Sequence, residues 1–193
     1  MQPGLSTGAL GKMQVDAEGR LTNVRFVPSP NFDERPAGCT ITLLVIHNIS
    51  LPPDDFIGDG VIDLFTNTLD PEAHPYYQRL GGLKVSTHFF IRRSGETIQF
   101  VSCEKRAWHA GESRWQDRSR CNDYSIGIEL EGSDCLPFTD MQYVALVGLT
   151  RTLQETYPIR DIVGHSDIAP GRKTDPGPCF DWDRYRVGLD ACG

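Results

Sequence analysis

A single α/β domain is the fold the sequence predicts, and three stretches predict it. Ile41–Ile49 (ITLLVIHNI) is nearly all apolar and β-branched, the composition of a central strand buried on both faces. Tyr124–Leu130 (YSIGIEL) alternates, with Ile126, Ile128 and Leu130 on one side and Gly127, Glu129 and then Glu131 on the other. Thr139–Tyr157 places Leu146, Leu149, Leu153 and Tyr157 at helical spacing, behind a Thr139/Gln142 capping box and ahead of Pro158. Strands alternate with helices, no repeat or low-complexity linker divides the chain, and 193 residues suffice for one core.

Taken in order, residues 1–20 are small and polar without sustained periodicity and read as a loose extension. Leu21–Val27 suits a short strand, and the prolines of Pro28–Pro36 make a rigid loop. After the strand at Ile41–Ile49 comes a loop over Leu51–Gly60. A short helix follows over Gly60–Leu69, with Val61, Leu64 and Phe65 on one side. Asp70–Tyr77 reads as loop, with His74 exposed and without a role. Val85–Phe100 reads as a hairpin turning through Arg93-Ser94-Gly95-Glu96, with His88 in the core or on the floor of a site. Trp108 and His109, ahead of Gly111, either line a groove or simply pack. Arg160–Gly164 is a short strand that feeds Gly164–Trp182, a stretch whose prolines and glycines predict a stiff loop.

Composition narrows the partners. The net charge of -7 argues against nucleic acid or an anionic membrane as the main partner. It leaves room for an anionic small molecule held by a local cluster of cations. No run approaches the ~18 apolar residues of a membrane span, and the N-terminus lacks a basic-then-apolar export pattern. The six cysteines are scattered without a CxxC pair and read as reduced thiols of a cytoplasmic protein.

Chemistry concentrates in the stiff loop, which carries His165, Lys173 and Asp175. His47 interrupts the end of the strongest strand. It is either a core histidine satisfied by a carbonyl or a metal ligand at a strand mouth. Two imidazoles and a carboxylate, with a fourth position open, form a catalytic zinc pattern, but 47, 165 and 175 are not a local motif. Glu129 in mid-strand needs a partner or a purpose, or else lies on a solvated edge.

Five segments resemble one family. LLVIHNISLPP, STHFFIRRSGE, KRAWHAG, RCNDYSIGIELEG and GHSDIAPGRKTDPGPCFDW are similar to the AmpD type of zinc-dependent N-acetylmuramyl-L-alanine amidase. That type lies within the amidase-2, or peptidoglycan-recognition, superfamily. The resemblance runs from Val27 to Arg186 and implies a central mixed β-sheet flanked by helices. It sets residues 1–26 apart as an N-terminal extension and makes residues 27–193 the catalytic domain. It implies one Zn2+ per chain on His47, His165 and Asp175, with Glu129 as the proton carrier and Lys173 as the oxyanion stabiliser. Asn48, Lys84, Arg120, Ala169 and Arg172 become the candidates for substrate contact. Lys84 stands where a member of the family has arginine, which grips a carboxylate bidentately as lysine does not, so the expected contact there is weaker or different.

The activity implied is cleavage between muramic acid and L-alanine in soluble 1,6-anhydro-muropeptides during cell-wall recycling. It would be performed in the cytoplasm by a monomer acting on a small-molecule substrate, with no nucleic acid or membrane partner. Two alternatives from the same superfamily are an amidase of intact wall and a metal-free recognition module. The complete ligand set disfavours the second. A domain in which zinc is purely structural is a third alternative, disfavoured by the open fourth position and Glu129.

Overall fold

The computed structural model describes residues 13–191. Its elements, in chain order, are β1 (Arg25–Phe26), β2 (Phe32–Glu34), β3 (Leu43–Ile49), α1 (Gly60–Thr66), α2 (Pro75–Gln78), β4 (Phe89–Ile91), β5 (Thr97–Gln99), β6 (Lys105–Ala107), β7 (Arg114–Trp115), β8 (Arg118–Ser119), β9 (Ser125–Glu131), α3 (Asp140–Thr156), β10 (Asp161–Gly164), α4 (His165–Ile168) and α5 (Trp182–Asp190). Six strands form one mixed sheet in the order β1-β5-β4-β9-β3-β10. Only the β4–β5 hairpin is antiparallel within it. The single α/β domain with a mixed sheet and flanking helices is the architecture the sequence predicts.

β3 and β9 occupy the middle of the sheet, which explains their composition. Alternate residues face opposite sides. Leu44 and Ile46 of β3 and Ile126, Ile128 and Leu130 of β9 pack with Leu146, Leu149 and Leu153 of α3 and Tyr185 of α5. On the other face, Leu43 and Val45 pack with Tyr124 and Ile168, while Phe90 and Ile98 pack against Leu64 and Phe65 of α1. The residues that continue this second face past Val45 and Gly127 are His47 and Glu129.

α3 starts as its capping box predicts. The Gln142 N–H donates to Thr139 Oγ1, and the Thr139 N–H donates to Gln142 Oε1. Thr139 Oγ1 also donates to the Arg93 carbonyl at 2.7 Å, tying the helix start to the β4–β5 turn.

Several sequence expectations are corrected. Pro28–Pro36 is not all loop, because β2 within it pairs antiparallel with β6. The same segment delivers Arg35 inward, where its guanidinium donates to the carbonyls of Cys103, Asp123 and Ser125. Asp70–Tyr77 is not all loop either, since α2 begins at Pro75, and His74 caps it by accepting from the Tyr76 N–H. Gly164–Trp182 contains the one-turn helix α4 at its start and leads into α5. Of the expected loose extension, residues 1–12 lie outside the described residues, and from Met13 onward the segment packs. Val15 bridges to Leu21, and Leu21 is buried in the core. Cys39, Cys103, Cys121, Cys135 and Cys179 are free, and Cys192 lies outside the described residues.

Candidate metal centre

The strand register assembles the site. His47 on β3 pairs with Glu129 on β9, so both side chains leave the same face of the sheet. On the other flank of β3, Gly164 at the end of β10 pairs with Ile46. The next residue, His165, therefore falls beside His47. The stiff loop then returns over α4, and the Ser166 N–H donates to the Asp175 carbonyl at 2.9 Å. Gly164 permits this return, because a Cβ there would sit 2.7 Å from Pro176 Cδ.

Three donor atoms converge. His47 Nδ1 lies 3.0 Å from His165 Nδ1 and 2.9 Å from Asp175 Oδ2, and His165 Nδ1 lies 3.0 Å from the same oxygen. All three residues are largely withdrawn from solvent. His165 Nε2 is 3.1 Å from the Ala110 carbonyl, which can only accept, so Nε2 carries the proton and Nδ1 presents its lone pair to the triangle. A tetrahedral ion with ligands at about 2.0–2.1 Å would hold its donors roughly 3.3 Å apart. The near-equilateral triangle of two imidazole nitrogens and one carboxylate oxygen fits such an ion with slight opening. Asp175 is held well below the usual carboxylate range: although burial opposes this, its bonds to His165 and His47 outweigh it. Burial lowers the His47 pKa to about 4, keeping its ring neutral, as a metal ligand must be.

Glu129 stands beside this triangle. Its Oε1 is 4.0 Å from His47 Nδ1, and its buried Oε2 has no hydrogen-bond partner among the described residues. Burial raises its pKa well above the ordinary value, Asp175 adds to the rise, and Lys173 opposes it. Glu131, two residues on, is spent structurally, accepting from the Arg93 N–H at 2.8 Å.

A cleft of about 270 Å³ opens over these groups, lined by Asn48, Trp108, His109, Glu129, His165, Lys173 and Asp175. The buried Trp108 indole N–H has no partner among the described residues. Lys84, Arg172 and Lys173 together line one arm of the cleft. A further arm is lined by Asp54 and Asp134 together with Arg172 and Lys173.

The predicted contact residues divide. Asn48 lines the cleft but commits its amide to Asp134 Oδ1 and the Pro176 carbonyl. Arg172 lines it while donating to the carbonyls of Ala110 and Glu112. Ala169 is buried as the C-cap of α4. Arg120 pairs with Asp123 and is absent from the linings of the three cavities at the triangle. Sequence reasoning passed over Asn122, whose Oδ1 accepts from the N–H groups of both His109 and Ala110. A lone asparagine in a short turn carries no spacing signal.

Residues 37–178 match the Amidase_2 model, described as N-acetylmuramoyl-L-alanine amidase. The chain belongs to the N-acetylmuramoyl-L-alanine amidase family. It is 56% identical over 172 residues to a protein of Escherichia coli K12 named 1,6-anhydro-N-acetylmuramyl-L-alanine amidase AmpD, covering 88% of this chain and 94% of the relative. A crystal structure of a selenomethionine derivative of AmpD superposes with a TM-score of 0.89 at 54% identity, covering 92% of this chain and 99% of that one. The Escherichia coli amidase AmiD is 30% identical with a TM-score of 0.60, covering 92% of this chain and 65% of AmiD. Its structure contains anhydro-N-acetylmuramic acid-L-Ala-D-gamma-Glu-L-Lys as substrate.

Proposed function

We propose that this family member is a zinc-dependent amidase of soluble 1,6-anhydro-muropeptides. It would cut the amide between the muramic lactyl group and L-alanine during cell-wall recycling in the cytoplasm. One observation carries the catalytic reading. A buried carboxyl with an unpartnered oxygen stands beside three converging metal donors on the floor of an open cleft. A purely structural site would close its fourth position and have no use for such a group.

When bound, zinc supplies a Lewis acid and lowers the pKa of water from 15.7 toward about 7. The residues of this chain do the rest. His47, His165 and Asp175 would hold the ion on one side and leave the cleft side open. Glu129, whose hold on a proton is raised by burial, would take one proton from the attacking water and return it to the amide nitrogen as the C–N bond breaks. Lys173 supports a negative charge growing on the carbonyl oxygen. Its exposed ammonium reaches the same cleft and already acts on Glu129 and His47. The cations Lys84, Arg172 and Lys173 along the cleft suit the carboxylates of a stem peptide. The E. coli AmpD name and the AmiD complex support the same substrate class.

The test is incubation with an anhydro-muramyl tripeptide and, separately, with cross-linked sacculi, with a chelator and zinc add-back as controls. Zinc-dependent release of tripeptide from the soluble substrate alone is expected. Comparable cleavage of sacculi would assign the chain to wall lysis. Binding without cleavage would make it a recognition module.

A further inference from the structure

We infer that His109 is a positioning residue for the metal centre, and that the segment His109–Ala110 orients both histidine ligands through their outer nitrogens. The inference rests on the zinc reading above. It starts from a contact that reading does not use. His47 Nε2 lies 2.9 Å from His109 Nδ1, and His109 Nε2 lies 3.2 Å from Ser125 Oγ. The three groups form a buried chain leading away from the donor triangle.

The proton order in that chain decides what His47 can bind. For Nδ1 to offer its lone pair to a metal, the neutral ring must carry its proton on Nε2. His109 is the group that accepts that proton's hydrogen bond, through Nδ1. Its own proton then sits on Nε2 and points to Ser125 Oγ, a hydroxyl able to accept it. A ligating histidine commonly donates its outer N–H to a carbonyl or carboxylate. His165 follows that pattern with the Ala110 carbonyl. His47 uses a second imidazole instead, contributed by the adjacent residue of the same segment.

Two features hold the segment still. Asn122 Oδ1 accepts from the His109 N–H at 3.2 Å and the Ala110 N–H at 2.8 Å. Gly127 on β9 clears the space for the ring, since a Cβ there would lie 2.5 Å from His109 Cγ. The His47 and His109 rings meet nearly perpendicular, at 86°. A shift of this segment would therefore disturb both ligands at once.

The experiment measures zinc affinity by competition with a chromophoric chelator in the wild type and in His109→Leu, His109→Asn and Ser125→Ala. Asparagine keeps an acceptor close to the place of Nδ1, whereas leucine removes it. Expected is a 10–100-fold weaker zinc affinity for His109→Leu. His109→Asn should recover most of that loss, and Ser125→Ala should lose several-fold. Histidine nitrogen NMR of the zinc-loaded protein supplies a second readout. In the wild type, His47, His109 and His165 should each carry their proton on Nε2. In Ser125→Ala that preference should weaken for His109 while His165 keeps it. A folded His109→Leu protein with wild-type zinc affinity would overturn the inference, as would a His109 protonated on Nδ1 in the loaded wild type. Failure of the wild type to take up zinc at all would instead sink the metal reading on which the inference rests.

Discussion

The role proposed for Glu129 follows from its surroundings. The alternation of YSIGIEL places it opposite the isoleucines, and pairing with His47 then puts it beside the donor triangle. The place of β9 between β4 and β3 disposes of the edge-strand reading. Glu129→Gln keeps the shape but takes no proton. It should lower kcat by about 10²–10⁴ while zinc content stays at the wild-type level. Steady-state kinetics with metal analysis decides this, and a loss of only a few-fold would assign proton transfer elsewhere. Lys173→Met should lower kcat about 10²–10³-fold with KM little changed, if the ammonium serves the oxyanion rather than ground-state binding. A near-normal kcat would return Lys173 to the status of a surface lysine. The donors were legible by type but not by spacing. His47 and Asp175 are 128 positions apart, and only parallel pairing on both flanks of β3 brings them together.

Elements were legible in proportion to their length and periodicity. β3, β9 and α3 each bury a regular set of side chains, and all three follow from pattern alone. β2 and β6 are FDE and KRA, charged triplets whose pairing is long-range and leaves no mark in either segment. α5 buries Tyr185 alone, which is too little to write a helical stripe. α3 offers the cleanest test at this scale. Thr139→Ala removes the cap acceptor and also the 2.7 Å bond to the Arg93 carbonyl, so it should cost about 1–2 kcal/mol in urea unfolding. Thr139→Ser retains both groups and should cost much less. Equal losses in the two variants would show that the methyl, not the hydroxyl, matters.

For the whole molecule, the donor triangle joins β3, the β10–α4 junction and the returning loop, so the proposed zinc would act as a clasp between them. An ion that binds only the folded chain stabilises it by about 4 kcal/mol at 1,000 times its Kd, so chelation should lower Tm and zinc should restore it. With zinc removed, stability should depend on acid through a histidine outside the donor triangle. His88 is fully buried, its Nδ1 accepts from the Gly127 N–H, and its Nε2 faces the Lys105 carbonyl with the Arg35 guanidinium alongside. Burial, with the Arg35 charge second, lowers its pKa from 6.5 to about 3. The unfolded chain therefore takes up a proton that the folded chain refuses. The contribution is fully present above 6.5 and is lost as pH falls from there toward 3, by on the order of 1 kcal/mol per pH unit. His88→Asn should be less stable near neutral pH yet show a shallower fall between about pH 6 and about pH 4 in urea unfolding of the zinc-free protein. His47 titrates in both proteins, so the difference between the two slopes reports His88 together with its electrostatic effect on the neighbouring His109. Parallel slopes would mean that the ring is protonated in the fold and that its bond from Gly127 is not made.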